Sequence, residues 1–130
     1  MTNQEIYAIA LRLASEVGTV GINTDYEERA GYLLAVLCQR YAPLDGAYRT
    51  AHGLGKVTIP NTVPCSLSAA FPLSDALSAP VAASLAALLV TAESPTLADR
   101  LDRLAADAAS ALRQSLPCSV EAITDRYAQA

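Results

Sequence analysis

Few side chains in this chain could do chemistry: one histidine, His52, and three cysteines, Cys38, Cys65 and Cys118. His52 is followed by Gly53 and Gly55, so it is expected in a loop, where an imidazole could act as a general base. A catalytic pair also needs an oriented partner. The nearest nucleophile candidates, Thr50, Thr58 and Cys65, stand in no recognisable motif. An enzyme built on this chain would need His52 beside Cys65 or a carboxylate in a concave pocket, and the expectation is instead an exposed loop residue and no enzyme. Gly53-Leu54-Gly55-Lys56 has a superficial likeness to a phosphate loop, but Val57 follows the lysine and no strand of a parallel sheet precedes the glycines. The cysteines are odd in number and widely spaced, without a CxxC pair. Reduced, partly buried thiols in a cytoplasmic protein are expected, and the spacing gives no support to a disulfide between Cys65 and Cys118.

The carboxylates read as structural. Asp25, Glu27 and Glu28 open a helical pattern, where negative charge is favoured by the helix dipole over metal binding. Asp99, Asp102 and Asp107 alternate with Arg100 and Arg103, the pattern of a solvated face. No cofactor or metal site is therefore expected. Two helices joined by a glycine-containing turn invite comparison with a DNA-binding helix-turn-helix. The second helix would bring Asp25, Glu27 and Glu28 to the phosphates, and the turn is too long. With a formal charge of −4 and a pI near 4.8, the chain lacks the basic face that nucleic acid or an anionic membrane would need.

The elements that must position these residues are helical. The 130 residues are 52% hydrophobic and 17% charged, which fits one globular domain and excludes a disordered chain. Alanine fills 26 positions while Trp is absent and Phe occurs once, a composition suited to close-packed helices. Helices are predicted over 3–17, 25–41, 79–92 and 95–115, with a short C-terminal helix in an extension over 117–130. Capping boxes at Thr2/Glu5 and Thr24/Glu27 start the first two. Their apolar stripes are Ile6, Ile9, Ala10, Leu13 and Val17, then Ala30, Leu33, Leu34, Leu37, Cys38 and Tyr41. Pro43 is expected to stop the second helix, leaving an extra turn over 44–50. Residues 81–90 are apolar nearly all round, as in a helix enclosed by others, and too few to span a membrane. Ser94 and Pro95 open the fourth helix, with a stripe of Leu97, Leu101, Leu104, Ala105, Ala108 and Leu112. The polar start Thr2-Asn3-Gln4-Glu5 leads to no expectation of a secretory leader. The fold class is all-α, a compact four-helix bundle.

Between the helix pairs, residues 52–74 hold Gly53, Gly55, Pro60, Pro64 and Pro72. Residues 56–59 and 63–67 either pair as a short β-hairpin across 60–62 or run as extended loop. A long segment of this kind is commonly functional or ordered by a partner. Leu54, Val57, Ile59, Val63, Leu67 and Phe71 are its candidate partner contacts.

The segment Phe71-Pro72-Leu73-Ser74-Asp75-Ala76-Leu77-Ser78-Ala79-Pro80 runs into the apolar helix. Glu93-Ser94-Pro95-Thr96-Leu97-Ala98-Asp99-Arg100-Leu101 then enters an alanine-rich one. With Asp25-Tyr26-Glu27-Glu28-Arg29-Ala30 opening the second helix, this layout resembles the small helical head–tail connector or neck adaptor proteins of tailed bacteriophages and prophages. The likeness covers about residues 1–115; the extension 117–130 and the scarcity of aromatics depart from it. It implies a non-enzymatic, ring-forming subunit in the virion neck that joins portal to tail, with the central loop reaching a neighbour. The alternative is a cytosolic helical interaction or regulatory module, unrelated to phage, whose groove takes a peptide or another helix. In both cases the partner is protein, with no sequence-specific nucleic acid and no membrane.

Overall fold

A computed structural model describes residues 1–15, 24–55, 57–59 and 64–116. Four α-helices carry the fold: α1 (Asn3–Ser15), α2 (Thr24–Ala51), α3 (Ser78–Val90) and α4 (Pro95–Ser115), with a 3₁₀ turn (Asp75–Leu77) before α3. The expected C-terminal helix and the end of the first helix lie outside the described residues. Among the described residues there is no strand; an isolated antiparallel bridge joins Thr2 to Ala70. The expected hairpin turn at 60–62 lies outside the described residues, and its described flanks, 57–59 and 64–67, are not in strands.

The hub is α3. Its alanines, leucines and valines leave no polar side to face water, and ten of its thirteen residues are buried. It packs on α4, α1 and α2. The helix it packs on, α4, buries the small residues Ala98, Ala105 and Ala109, and side chains of this size allow two packed helices to approach closely. One hydrophobic cluster draws on all four helices, from Ile6 and Ala10 through Leu34 and Leu37 to Leu85, Leu89 and Leu101. Leu104, expected on the inward stripe of α4, is instead 47% exposed.

The starts of α1 and α4 follow their sequence signals, while the expected cap at Thr24/Glu27 rests on Thr24, whose side chain lies outside the description. The Glu5 amide donates to Thr2 Oγ1 at 3.3 Å, and the Leu97 amide donates to Ser94 Oγ at 3.3 Å with Pro95 in the first turn. Asp99 and Arg103 form their expected exposed pair at 3.2 Å. The end of the second helix differs. Pro43 does not stop it: α2 runs through the proline to Ala51, and residues 44–50 belong to the same helix. A proline inside a helix removes one hydrogen bond and costs about 3 kcal/mol. Tertiary contacts offset that loss. Tyr41 and Leu44 are buried in the core, and Asp45, 3% exposed, accepts from Arg49 Nε at 3.0 Å and from the Ser74 amide at 2.9 Å.

The true stop is Gly53, whose φ of +68° is the left-handed conformation glycine adopts without strain. The Leu54 amide donates to the Arg49 carbonyl at 2.7 Å and the Gly53 amide to Thr50 at 3.3 Å, the pair of bonds of a Schellman cap.

Candidate interaction surface

The central segment behaves as two pieces. Its second piece is fixed on the chain's own helices by backbone hydrogen bonds. The Cys65 amide donates to the Gly31 carbonyl at 3.0 Å, and the first-turn amides of α1, Asn3 and Gln4, donate to the Ala69 and Leu67 carbonyls at 3.0 and 2.8 Å. These are amides that a helix cannot satisfy internally, so the segment serves as the cap of α1. Phe71 donates its amide to the Met1 carbonyl at 2.8 Å, and its ring is buried in the core. Leu67 is half-buried against that core. Phe71 is thus an internal residue, and Leu67 is largely committed to the same packing.

The first piece is open. Leu54 and Val57 are 49% and 46% exposed, while Ile59 is half-buried against the core. Val63 lies outside the described residues. Residues 57 and 59 border, with Ala42, Gly46 and Thr50, a cleft of about 260 Å³, so this piece runs beside the C-terminal half of α2. Across that half-helix lies a larger groove of about 590 Å³ between α2 and the end of α4. Its apolar walls include Pro43, Leu44 and Ala47 on one side and Ala106 and Leu116 on the other, and Arg40 and Arg113 also line it.

The sequence pattern missed the outward face of α2. Tyr32 and Val36 are 55% and 57% exposed, and Pro43 and Ala47 continue the same face toward the groove. The signal was available as the apolar residues left over once the inward stripe is assigned: positions 32, 36, 43 and 47 share helical spacing.

The residues weighed for chemistry are not brought together. His52 follows the last residue of α2, is exposed, and lies against Tyr48 with ring centroids 4.3 Å apart. Cys65 is docked at Gly31, twenty-one residues earlier on the same helix, which at 1.5 Å per residue separates the two by about 30 Å. The Gly53-Leu54-Gly55 run ends a helix and so does not present the N-terminal amides that cradle phosphate. Glu27 and Glu28 are exposed at the start of α2, and the side chain of Asp25 lies outside the description. No group of three or more His, Cys, Asp or Glu side chains among the described residues could hold a metal ion.

Three tyrosine hydroxyls are held close to the core rather than offered to solvent. Tyr41 pairs with Ser84 at 2.8 Å, and Tyr26 donates to Glu93 Oε2 at 2.5 Å. Burial and the Glu93 carboxylate push Tyr26 up to about 12, and burial pushes Tyr7 up as well. Burial also pushes the Cys38 thiol up to about 12 and raises Cys65, so neither is a ready nucleophile near neutral pH.

Fold and surface together define an all-α protein with an enclosed central helix and an apolar outer face along α2 from Tyr32 to Ala47. No helix among the described residues is long and apolar enough to cross a membrane. No protein-family model, curated protein or solved structure matches the chain.

Proposed function

We propose that this protein is a non-enzymatic assembly protein of prophage origin, a head–tail connector-like subunit that works through protein–protein contacts in the virion neck. The observation that carries this reading is the exposed pair Leu54 and Val57, on a segment without regular structure that leaves the capped end of α2. Large apolar side chains on such a segment gain free energy when a neighbour covers them. Repeated head-to-tail contact of this kind closes into a ring. Light scattering coupled to size exclusion tests it. The wild-type chain should associate at high concentration, and the double variant Leu54→Ser, Val57→Ser should run as a monomer with unchanged helical circular dichroism. A wild-type chain that stays monomeric both alone and with its genomic neighbours, or neighbours that encode no portal, capsid or terminase, would sink the idea.

A second reading is favoured by the groove between α2 and α4: a helical interaction module, unrelated to phage, that takes an amphipathic helix. The apolar walls suit such a helix, and Arg40 and Arg113 suit acidic residues at its margin. Under this reading Ala47→Glu, which adds bulk and negative charge on the exposed wall, abolishes partner binding, while Leu54→Ser leaves it intact.

A further inference from the structure

A separate cleft of about 250 Å³ lies where the start of α1, the middle of α2 and residues 65–72 meet. It is lined by Asn3, Cys38, Cys65, Ser66, Ala69 and Pro72, among others. The volume is below the about 300–1,000 Å³ of pockets that hold drug-sized ligands, and an apolar cavity of about 150 Å³ already accepts benzene. One or two fused rings is the matching size.

The lining is mostly methyl groups, a proline ring and two thiols, with two polar side chains, Ser66, whose hydroxyl already pairs with Ser68 Oγ at 2.9 Å, and Asn3. Asn3 is only 2% exposed, and its Nδ2 donates to the Ser66 carbonyl at 2.9 Å. That bond fixes the orientation of the amide, because a flipped amide would set its oxygen against the carbonyl oxygen. The other end, Oδ1, is buried with no hydrogen-bond partner among the described residues. A buried carbonyl oxygen left unpaired is unfavourable, and a donor brought by a ligand would relieve it. Among the described residues no ionisable carboxylate or amine lines the cleft, and burial keeps both thiols protonated. The described lining therefore has nothing to balance a charged ligand. Neutral, polarisable sulfur beside a ring is a favourable contact.

We propose that this cleft binds a small, neutral, aromatic molecule of one or two rings that carries a single N–H or O–H donor, with the donor directed to Asn3 Oδ1 and the ring against Cys38 and Cys65. The site is independent of the assembly surface, since it draws on neither Leu54 nor Val57 and not on the α2–α4 groove.

Indole is the probe, and 1-methylindole, which keeps the rings and lacks the donor, is its control. Each is titrated into the ¹⁵N-labelled full chain. Indole should shift the amides of residues 65–72 and Cys38, bind at least tenfold more tightly than 1-methylindole, and slow alkylation of Cys65 by iodoacetamide, mapped by peptide mass. Ala69→Leu, which adds bulk on the loop wall without touching the core, should abolish the shifts while the chain stays folded. Equal binding of the two probes would overturn the role of Asn3. Absence of shifts at these residues would mean that the cleft holds water alone and would overturn the site.

Discussion

Gly31 stands mid-helix, where glycine is unfavourable by roughly 1 kcal/mol against alanine, so some contact must require it. The contact is the crossing of residues 64–65: a Cβ on Gly31 would lie 2.8 Å from the Cys65 carbonyl oxygen and 3.2 Å from Pro64 Cβ. Backbone cannot move aside there without losing the Cys65–Gly31 hydrogen bond. Gly31→Ala should therefore destabilise the chain by about 1–3 kcal/mol despite its better helix propensity, read by urea denaturation. If it stabilises instead, the crossing is not tight. Tyr26 gives a second prediction at this scale. Its hydroxyl holds its proton more firmly when folded, up to about 12, than at its ordinary value of 10.0. The stability that follows is whole below pH 10 and is lost as pH rises through about 12. Tyr26→Phe should cost about 1–2 kcal/mol near neutrality and flatten the alkaline limb of the stability curve between those values. The chain's own pattern marked Tyr26 as opening a helix; it did not mark Glu93, sixty-seven residues away, as the hydrogen-bond partner.

At the scale of elements, α2 is where local rules and tertiary context disagree. Pro43 reads as a terminator because a proline lacks the amide and crowds the preceding turn. The helix continues because its second half has its own anchors in Leu44 and in Asp45, which joins α2 to the approach to α3 through Ser74. The partner of Asp45 lies twenty-nine positions onward and carries no local signature. Gly53 did carry one, as a glycine just past Arg49 in the last turn, and only the competing proline hid it. Since α2 is continuous, Pro43→Ala restores an amide to a helix interior, and it should raise the stability by about 1 kcal/mol or more in a thermal melt. A terminator replaced by alanine would leave stability level or lower it. The helix starts were legible for the opposite reason: the Thr2 and Ser94 caps act on amides within three residues, so the sequence holds both partners.

For the whole molecule, the decisive fact is that three helices share one apolar hub. Leu85, fully buried in α3, is enclosed by the others, and Leu85→Ala should cost about 2–5 kcal/mol. Leu104→Ala, on a side chain 47% exposed, should stay within about 0.5 kcal/mol, and the contrast is read from paired chemical denaturation curves. A small difference between the two would mean that α3 is not the hub. The central segment shows the same division at larger scale. Its composition marked it as the place where helical pattern ends. It could not show that residues 64–72 are folded down as the cap of α1 while Leu54 and Val57 remain open, because that depends on which orphan amides lie within reach.

Sequence alone determined the helical class, the caps of α1 and α4 and the enclosed apolar helix, since each rests on spacing within one or two turns and on side-chain volume. Only the tertiary structure decided that Pro43 lies within a helix, that Phe71 is internal, that Asn3 Oδ1 meets no donor among the described residues and that α2 keeps an apolar outer face. Those outcomes depend on partners brought from distant positions, whose burial and hydrogen bonds outweigh the local preference of any single residue.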